Sequence, residues 1–326
     1  MMIGIGVDIG GTFVKFFVMN EKREVLEQHK VETYYAGGPK GFIEQMGDFI
    51  NQMRNKYAPE QVAVAVGAPG DVDHERGLLR YNPNLQFENV DNWPLAQQLY
   101  DYTGILPALA NDATLAAWGV YEAGLQHQGT NVLVVTLGTG VGGGLILNKE
   151  LFQGSNGTAG EIGHMKISDP ANGPLCGCGA RGCLEAFVGT IGIKRRVRES
   201  IEKNPQSILA KLIGPAKDFK IAVVSQAAEQ GCQEALKIWQ DTGYYLGIGI
   251  ANAVLLLDLD TVVLTGGVSG AAPYFLPTLQ HVLNNQQIKT PFERIKLVVS
   301  KDPNMGGIGA ALYALHRAKK DARLCN

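Results

Sequence analysis

Residues 5–18, IGVDIGGTFVKFFV, and residues 133–146, LVVTLGTGVGGGLI, carry one pattern twice at an offset of 128 positions. Each copy is a short apolar, β-branched run, a glycine-containing turn, and a second apolar run. That order predicts strand-turn-strand units, Ile3–Ile9 with Phe13–Met19 and Val132–Leu137 with Gly143–Leu147. Two such hairpins at this separation predict two similarly built domains. Outward from them, Val62–Val66 is a continuous apolar run, as expected for a strand covered on both faces. Thr261–Thr265 and Ile295–Ser300 also read as strands. Ala113–Glu122 reads as a helix with Asp112 as its N-cap, and Leu236–Leu257 as a buried helix. Ile308–Arg323 reads as a helix whose basic last turn (Arg317, Lys319, Lys320) suits a helix C-terminus. The alternation of strands and helices gives an α/β class.

Composition narrows the function. The chain has 326 residues, 45% of them hydrophobic, enough for a large core and about twice the usual domain length. Its 29 basic and 31 acidic residues leave a net charge of −2. No basic field invites nucleic acid or an anionic membrane. The longest uncharged apolar run, Tyr244–Leu257, is too short to span a bilayer. Glycine is in excess, at 41 of 326 residues, well above the usual ~7%. Of the five cysteines, Cys176, Cys178 and Cys183 crowd together while Cys232 and Cys325 stand apart. An odd total with one dense cluster suits a metal site in a reducing compartment better than a disulfide framework. Without a basic, apolar leader at Met1–Asp8, a cytoplasmic protein is expected.

The glycine turns are candidate phosphate cradles, because backbone N–H groups can converge on an anion where no Cβ intervenes. The first is Asp8-Ile-Gly10-Gly11-Thr12 followed by Lys15, and the second is Gly138–Gly144. Asp8, at a strand end, could hold a hydrated Mg²⁺ beside such phosphates. Other phosphate motifs fit poorly. Gly124–Thr130 has the P-loop spacing but places Thr130 where the lysine belongs. Gly138-x-Gly140-x-x-Gly143 matches the dinucleotide fingerprint, which must open a helix, whereas here the chain continues as a strand.

His164, Cys176, Cys178 and Cys183 are the donor set that a tetrahedral zinc takes in structural sites. Four protein ligands leave no open position, so such a zinc organises structure and does not activate water. Glu161 lies three residues before His164 and Glu185 two after Cys183, so closing the cluster brings these carboxylates toward one place. The phosphate turns lie elsewhere in the chain. Loosening the cluster is therefore expected to disturb whatever the two carboxylates hold and to leave a nucleotide alone.

Together these residues resemble the ROK family of sugar kinases and related repressors. The resemblance runs over nearly the whole chain. It rests on Asp8–Lys15, Ala68-Pro-Gly70 with Asp73, Asn111-Asp112-Ala113, Gly138–Gly144, Ala159-Gly-Glu161-Ile-Gly-His164, Cys176–Glu185 and Thr265-Gly-Gly267. The Glu161/His164 element with the cysteine cluster is its specific part, since the glycine turns are shared across the actin-like ATPase superfamily. It implies two ribonuclease-H-like α/β domains with an interdomain cleft. The small one would be residues 1–112 plus a returning helix at 305–326, and the large one 113–304 with the zinc.

The resemblance also implies roles. Asp112 would be the general base for the 6-hydroxyl of a hexose. Asn111, Glu161, His164 and Glu185 would bind the sugar hydroxyls, with Gly70 and Asn84 lining the pocket. Gly10, Gly11, Thr12, Gly138, Thr139 and Gly140 would hold the ATP phosphates, with Asp8 and Lys15 beside them, and Gly266-Gly267 would lie against the adenosine. His164 would serve twice, with one ring nitrogen on zinc and the other on the sugar. Thr136 stands where wider relatives carry a second acid. The expected function is ATP- and Mg²⁺-dependent phosphorylation of glucose by a homodimer or homotetramer. N-acetylmannosamine, N-acetylglucosamine, fructose, mannose and allose are alternative substrates.

Three other readings compete. A sugar-responsive repressor needs a DNA-binding segment, and seven residues before Asp8 are too few for one. A sugar-binding protein without catalysis has no use for Asp112 and two intact phosphate turns. A polyphosphate-using kinase of this family generally lacks the cysteines.

Overall fold

The computed structural model describes residues 2–82, 85–87, 90–216, 218–300, 302 and 304–320. The chain opens with β1 (Met2–Ile9), β2 (Phe13–Asn20) and β3 (Val25–Glu32), then α1 (Gly38–Lys56), β4 (Gln61–Ala68), β5 (Asp71–Asp73), β6 (Leu78–Tyr81) and α2 (Leu95–Thr103). After β7 (Ala108–Asn111) and α3 (Asp112–Gly119), a π-helical turn covers Val120–Gly124. Next come β8 (Val132–Leu137), β9 (Val141–Leu147), β10 (Glu150–Phe152), α4 (Glu185–Val188), α5 (Thr190–Lys203), α6 (Ile208–Ile213), α7 (Ala222–Glu229) and α8 (Gln233–Leu257). The chain ends in β11 (Thr261–Thr265), α9 (Ala272–Asn284), α10 (Thr290–Glu293), β12 (Lys296–Val299) and α11 (Met305–Lys320).

Two five-stranded sheets share one topology. The first runs β3-β2-β1-β4-β7 and the second β10-β9-β8-β11-β12. In the first, β1 pairs antiparallel with β2 and parallel with β4, and β4 pairs parallel with β7. In the second, β8 and β12 both pair parallel with β11. The repeat of 128 residues is therefore a repeat of architecture, and the α/β fold with ribonuclease-H-like duplication is borne out. Ile3, Ile5, Val7, Val62, Val64 and Val66 are buried, because parallel central strands are covered on both faces.

The chain divides into two compact units. One comprises residues up to Gln128, Gly144–Gly160 and the chain from Asn304 onward, and the other Gly129–Gly143 with Glu161–Pro303. The first division thus falls after Gln128, whereas the sequence suggested Asp112. The reason is a close helix crossing: α3 packs on α11 with no side chain between them. A Cβ at Gly309 would enter the carbonyl of Leu115, and one at Gly119 would enter that of Met305. Gly309→Ala must open this crossing, and overpacking of that kind costs about 1–3 kcal/mol. Differential scanning calorimetry should show Tm lowered by several degrees; an unchanged Tm would contradict the crossing.

The helix after β7 also starts differently. Asn111, not Asp112, is its N-cap: the Asn111 side chain accepts from the amides of Ala113 (2.9 Å) and Thr114 (3.3 Å). Asp112 is the first helical residue, and its Oδ1 accepts the Ala113 amide at 2.8 Å. Asn and Asp cap equally well, so adjacent in sequence they leave the cap ambiguous. No helix among the described residues is long and apolar enough to cross a membrane.

Candidate active site

In the first unit the candidate residues gather at the carboxyl ends of three parallel strands. Asp8 on β1 lies opposite Gly67 on β4, and Ala68 opposite Asn111 on β7. Crevices at such strand ends are where open α/β sheets bind ligands. The turn after β1 is tight, with the Gly10 amide donating to the Phe13 carbonyl at 3.0 Å. It is braced from outside, since Thr33 donates to the Gly10 carbonyl (2.8 Å) and Tyr35 to the Gly11 carbonyl (2.7 Å). Thr33 and Tyr35 were not legible as site residues, because nothing in their spacing points to a turn twenty residues away. The Lys15 ammonium sits 3.4 Å from Asp8 Oδ2. Burial pushes the Asp8 carboxyl up, against the opposing influence of Lys15. Such a carboxylate gains from a cation, so it fits a hydrated Mg²⁺. Asn111 Nδ2 donates to the Gly70 carbonyl at 3.0 Å, fixing the start of α3 to the loop after β4. Gly70 has φ 99° and no room for a Cβ against the Tyr81 carbonyl. Asn84 lies outside the described residues.

The second unit collects the rest. The Gly138 amide donates to the Gly140 carbonyl and the Thr190 amide to the Gly138 carbonyl, both at 3.0 Å, so the turn after β8 is tied to the start of α5. It opens on a cavity of about 540 Å³ lined by Gly138, Thr139, Thr190, Lys194, Phe219 and Gly267. Gly138 and Thr139 of the second glycine turn and Gly267 thus line one cavity. Lys194 and Phe219 are additions; they come from α5 and the segment before α7, and no motif announces them. Thr136, at the position matching Asp8, buries a hydroxyl with no partner among the described residues.

His164, Cys176, Cys178 and Cys183 offer ligand atoms that all lie within 4.8 Å of one another. Cys178 and Cys183 are 3.8 Å apart between sulfurs, and Cys176 Sγ is 3.7 Å from His164 Nδ1. A tetrahedral ion with bonds of about 2.3 Å to sulfur and 2.0–2.1 Å to nitrogen needs edges of roughly 3.6–3.8 Å. The donor set fits zinc. Lys166, which the sequence did not single out, donates to Cys183 Sγ at 2.7 Å. This contact raises the lysine's affinity for its proton and suits an anionic sulfur. Burial pushes the Cys176 thiol far up. Burial also works on Cys178, but the Ala180 amide and the flanking thiols outweigh it and hold Cys178 below the usual thiol range.

Each of the two flanking carboxylates contacts this cluster. Glu161 Oε2 is 3.8 Å from His164 Nε2, the ring nitrogen other than the one facing Cys176. On the opposite side Cys176 Sγ donates to Glu185 Oε1 at 3.2 Å. Glu185 reaches further. Its Oε2 accepts the Val141 amide at 2.9 Å, and a Cβ at Gly140 would collide with the same oxygen. Glu185 therefore links the second glycine turn to the cysteine cluster, which the sequence reading treated as lying apart.

Residues 4–317 match the ROK family. The chain belongs to this family. Among ROK relatives, a glucokinase of Streptomyces coelicolor is 32% identical over 272 residues, covering 82% of this chain and 83% of that protein. An N-acetylmannosamine kinase of Yersinia pestis is 30% identical over 312 residues, covering 95% and 98%. A crystal structure of a ROK glucokinase from Streptomyces griseus in complex with glucose and AMPPNP superposes with a TM-score of 0.76. It is 28% identical, with 96% of this chain and 99% of that one covered.

Proposed function

We propose that the chain is an ATP- and Mg²⁺-dependent hexose kinase that transfers the γ-phosphoryl group to the sugar 6-hydroxyl, with glucose as the substrate. The observation that carries the reading is the duplicated glycine turn, one copy beside Asp8 and the other opening on the 540 Å³ cavity. A two-fold phosphate cradle suits a nucleoside triphosphate, and ROK relatives named as glucokinases support the acceptor.

Phosphoryl transfer needs positioning and charge neutralisation more than covalent chemistry. Asp112 takes the hydroxyl proton as the sugar oxygen bonds to the γ-phosphorus and the bond to the β,γ-bridging oxygen breaks, releasing ADP. The Ala113 amide on Oδ1 fixes the direction of that carboxylate, and Asn111 anchors its helix turn. Gly10–Thr12 and Gly138–Gly140 present amides to the phosphates, with Lys15 adjacent, and Gly266-Gly267 lie against the adenosine. Bound beside Asp8, Mg²⁺ would neutralise phosphate charge.

Glu161, His164 and Glu185 bind sugar hydroxyls in this reading, together with Asn111 and with Gly70 and Asn84 at the pocket wall. A zinc held by His164, Cys176, Cys178 and Cys183 would supply fixed geometry and no chemistry. With Cys176 deprotonated as a ligand, its thiol no longer donates to Glu185 Oε1, which is then left to accept from the sugar. Four reduced cysteines, Cys176, Cys178, Cys183 and Cys232, favour a reducing cytoplasm. A homodimer or homotetramer is the assembly to test by light scattering.

The N-acetylmannosamine relative, aligned over 95% of the chain, favours a second sugar. Coupled assays of ADP formation over a panel of hexoses decide between them. The reading requires glucose to give the highest kcat/KM. Preference for N-acetylmannosamine would move the substrate, and no sugar-dependent ADP would overturn the kinase.

A further inference from the structure

A second cavity, about 280 Å³, lies wholly in the first unit. It is lined from the β2–β3 turn by Glu21 and Arg23, from the π-turn by Glu122, from the β9–β10 turn by Lys149 and Glu150, and from α11 by Lys319. Trp118 of α3 forms part of its wall. None of these residues enters the proposed reaction. The walls are preformed, because α3 and α11 are locked by the Gly119/Gly309 crossing.

The carboxylates of this cavity are already committed. Glu122 pairs with Arg23 (2.7 Å) and faces His127 (3.4 Å). Glu150 pairs with Lys320 (3.0 Å) and faces His316 (3.5 Å). Glu21 accepts the Met2 amide at 3.1 Å. Among the described residues two lysines of this wall, Lys149 and Lys319, make neither a hydrogen bond nor an ion pair, although Lys319 acts on Glu122 through space. The Trp118 indole is 2% exposed, and its N–H is buried with no acceptor among the described residues. A buried N–H of this kind is rare and calls for an acceptor. Two ammonium groups on the cavity, with an orphaned indole N–H in one of its wall residues, favour an oxyanion.

We propose that this cavity is a second ligand site, separate from the substrate and nucleotide sites, for a small phosphate-bearing anion. Lys149 and Lys319 neutralise its charge, and the Trp118 N–H donates to one of its oxygens. The volume lies near the lower end of ligand pockets, room for free phosphate or a small phosphate monoester.

The test is titration of the ¹⁵N-labelled full chain with orthophosphate, with chloride at equal ionic strength as control. The indole resonances of the three tryptophans are assigned by single Phe variants. The Trp118 indole should shift saturably with orthophosphate and not with chloride. Lys149→Ala/Lys319→Ala, which alters only solvent-accessible side chains, should weaken that binding about tenfold or more. A parallel titration with glucose 6-phosphate separates the sources: tighter binding assigns a monoester, equal or weaker binding free phosphate. An unmoved Trp118 resonance, an equal shift with chloride, or an unaltered phosphate titration in the double variant would overturn the site. The readout is binding and not turnover, so it stands apart from whether the chain phosphorylates sugars.

Discussion

Asp112→Asn is expected to lower kcat by roughly 10²–10⁴ while changing the sugar KM only modestly. The substitution preserves shape and removes the proton acceptor. The amide oxygen of Asn can still accept the Ala113 N–H that Asp112 Oδ1 accepts now at 2.8 Å, so the start of α3 should persist. The cap itself belongs to Asn111, which makes the experiment cleaner than a cap substitution. Thermal stability should therefore stay close to that of the parent chain. A fall in kcat with unchanged Tm assigns the base; near-normal turnover would remove Asp112 from the chemistry.

The second large effect is expected from Cys178→Ser. With one ligand gone, the remaining donors hold zinc weakly, and metal analysis after dialysis should find well under one ion per chain. Two carboxylates then lose their fixed backbone, Glu161 beside the ligand His164 and Glu185 at the start of the helix two residues after Cys183. Misplacement by about 1 Å can lower a rate on the order of 10²-fold, so kcat should fall and the sugar KM rise. The contact between Glu185 and the Val141 amide adds a consequence: the ATP KM should rise as well, by less than the sugar KM. Steady-state kinetics on the folded variant, with both substrates varied, read this out. Unaltered sugar kinetics in the zinc-depleted variant would reduce the metal to a staple of the fold.

The architecture was legible where local chemistry and global fold agree. The runs flanking Gly10 and Gly138 are β-branched and end in glycine turns, so β1, β2, β8 and β9 follow from pattern alone. The cysteine cluster was legible because its ligands are close in sequence. Elements of three residues such as β5 and β10 are too short for any periodicity. The π-turn at Val120–Gly124 continues a helical pattern, and only the hydrogen bonds reveal it. The division after Gln128 was not legible because the α3–α11 crossing depends on Gly119 meeting Gly309, residues 190 positions apart. Lys194 and Phe219 stayed hidden for the same reason, since chain distance separates them from the turn they face. The tie between Glu185 and Val141 is the most consequential of these, because it alters a prediction.

The central claim is transfer of the γ-phosphoryl group of ATP to the 6-hydroxyl of glucose. It is tested most directly by incubating the chain with γ-labelled ATP, Mg²⁺ and either glucose or 6-deoxyglucose, then locating the label. The account predicts label on C6 of glucose in step with ADP release, and none on 6-deoxyglucose. Label on 6-deoxyglucose, or ADP released as fast without any sugar, would contradict it.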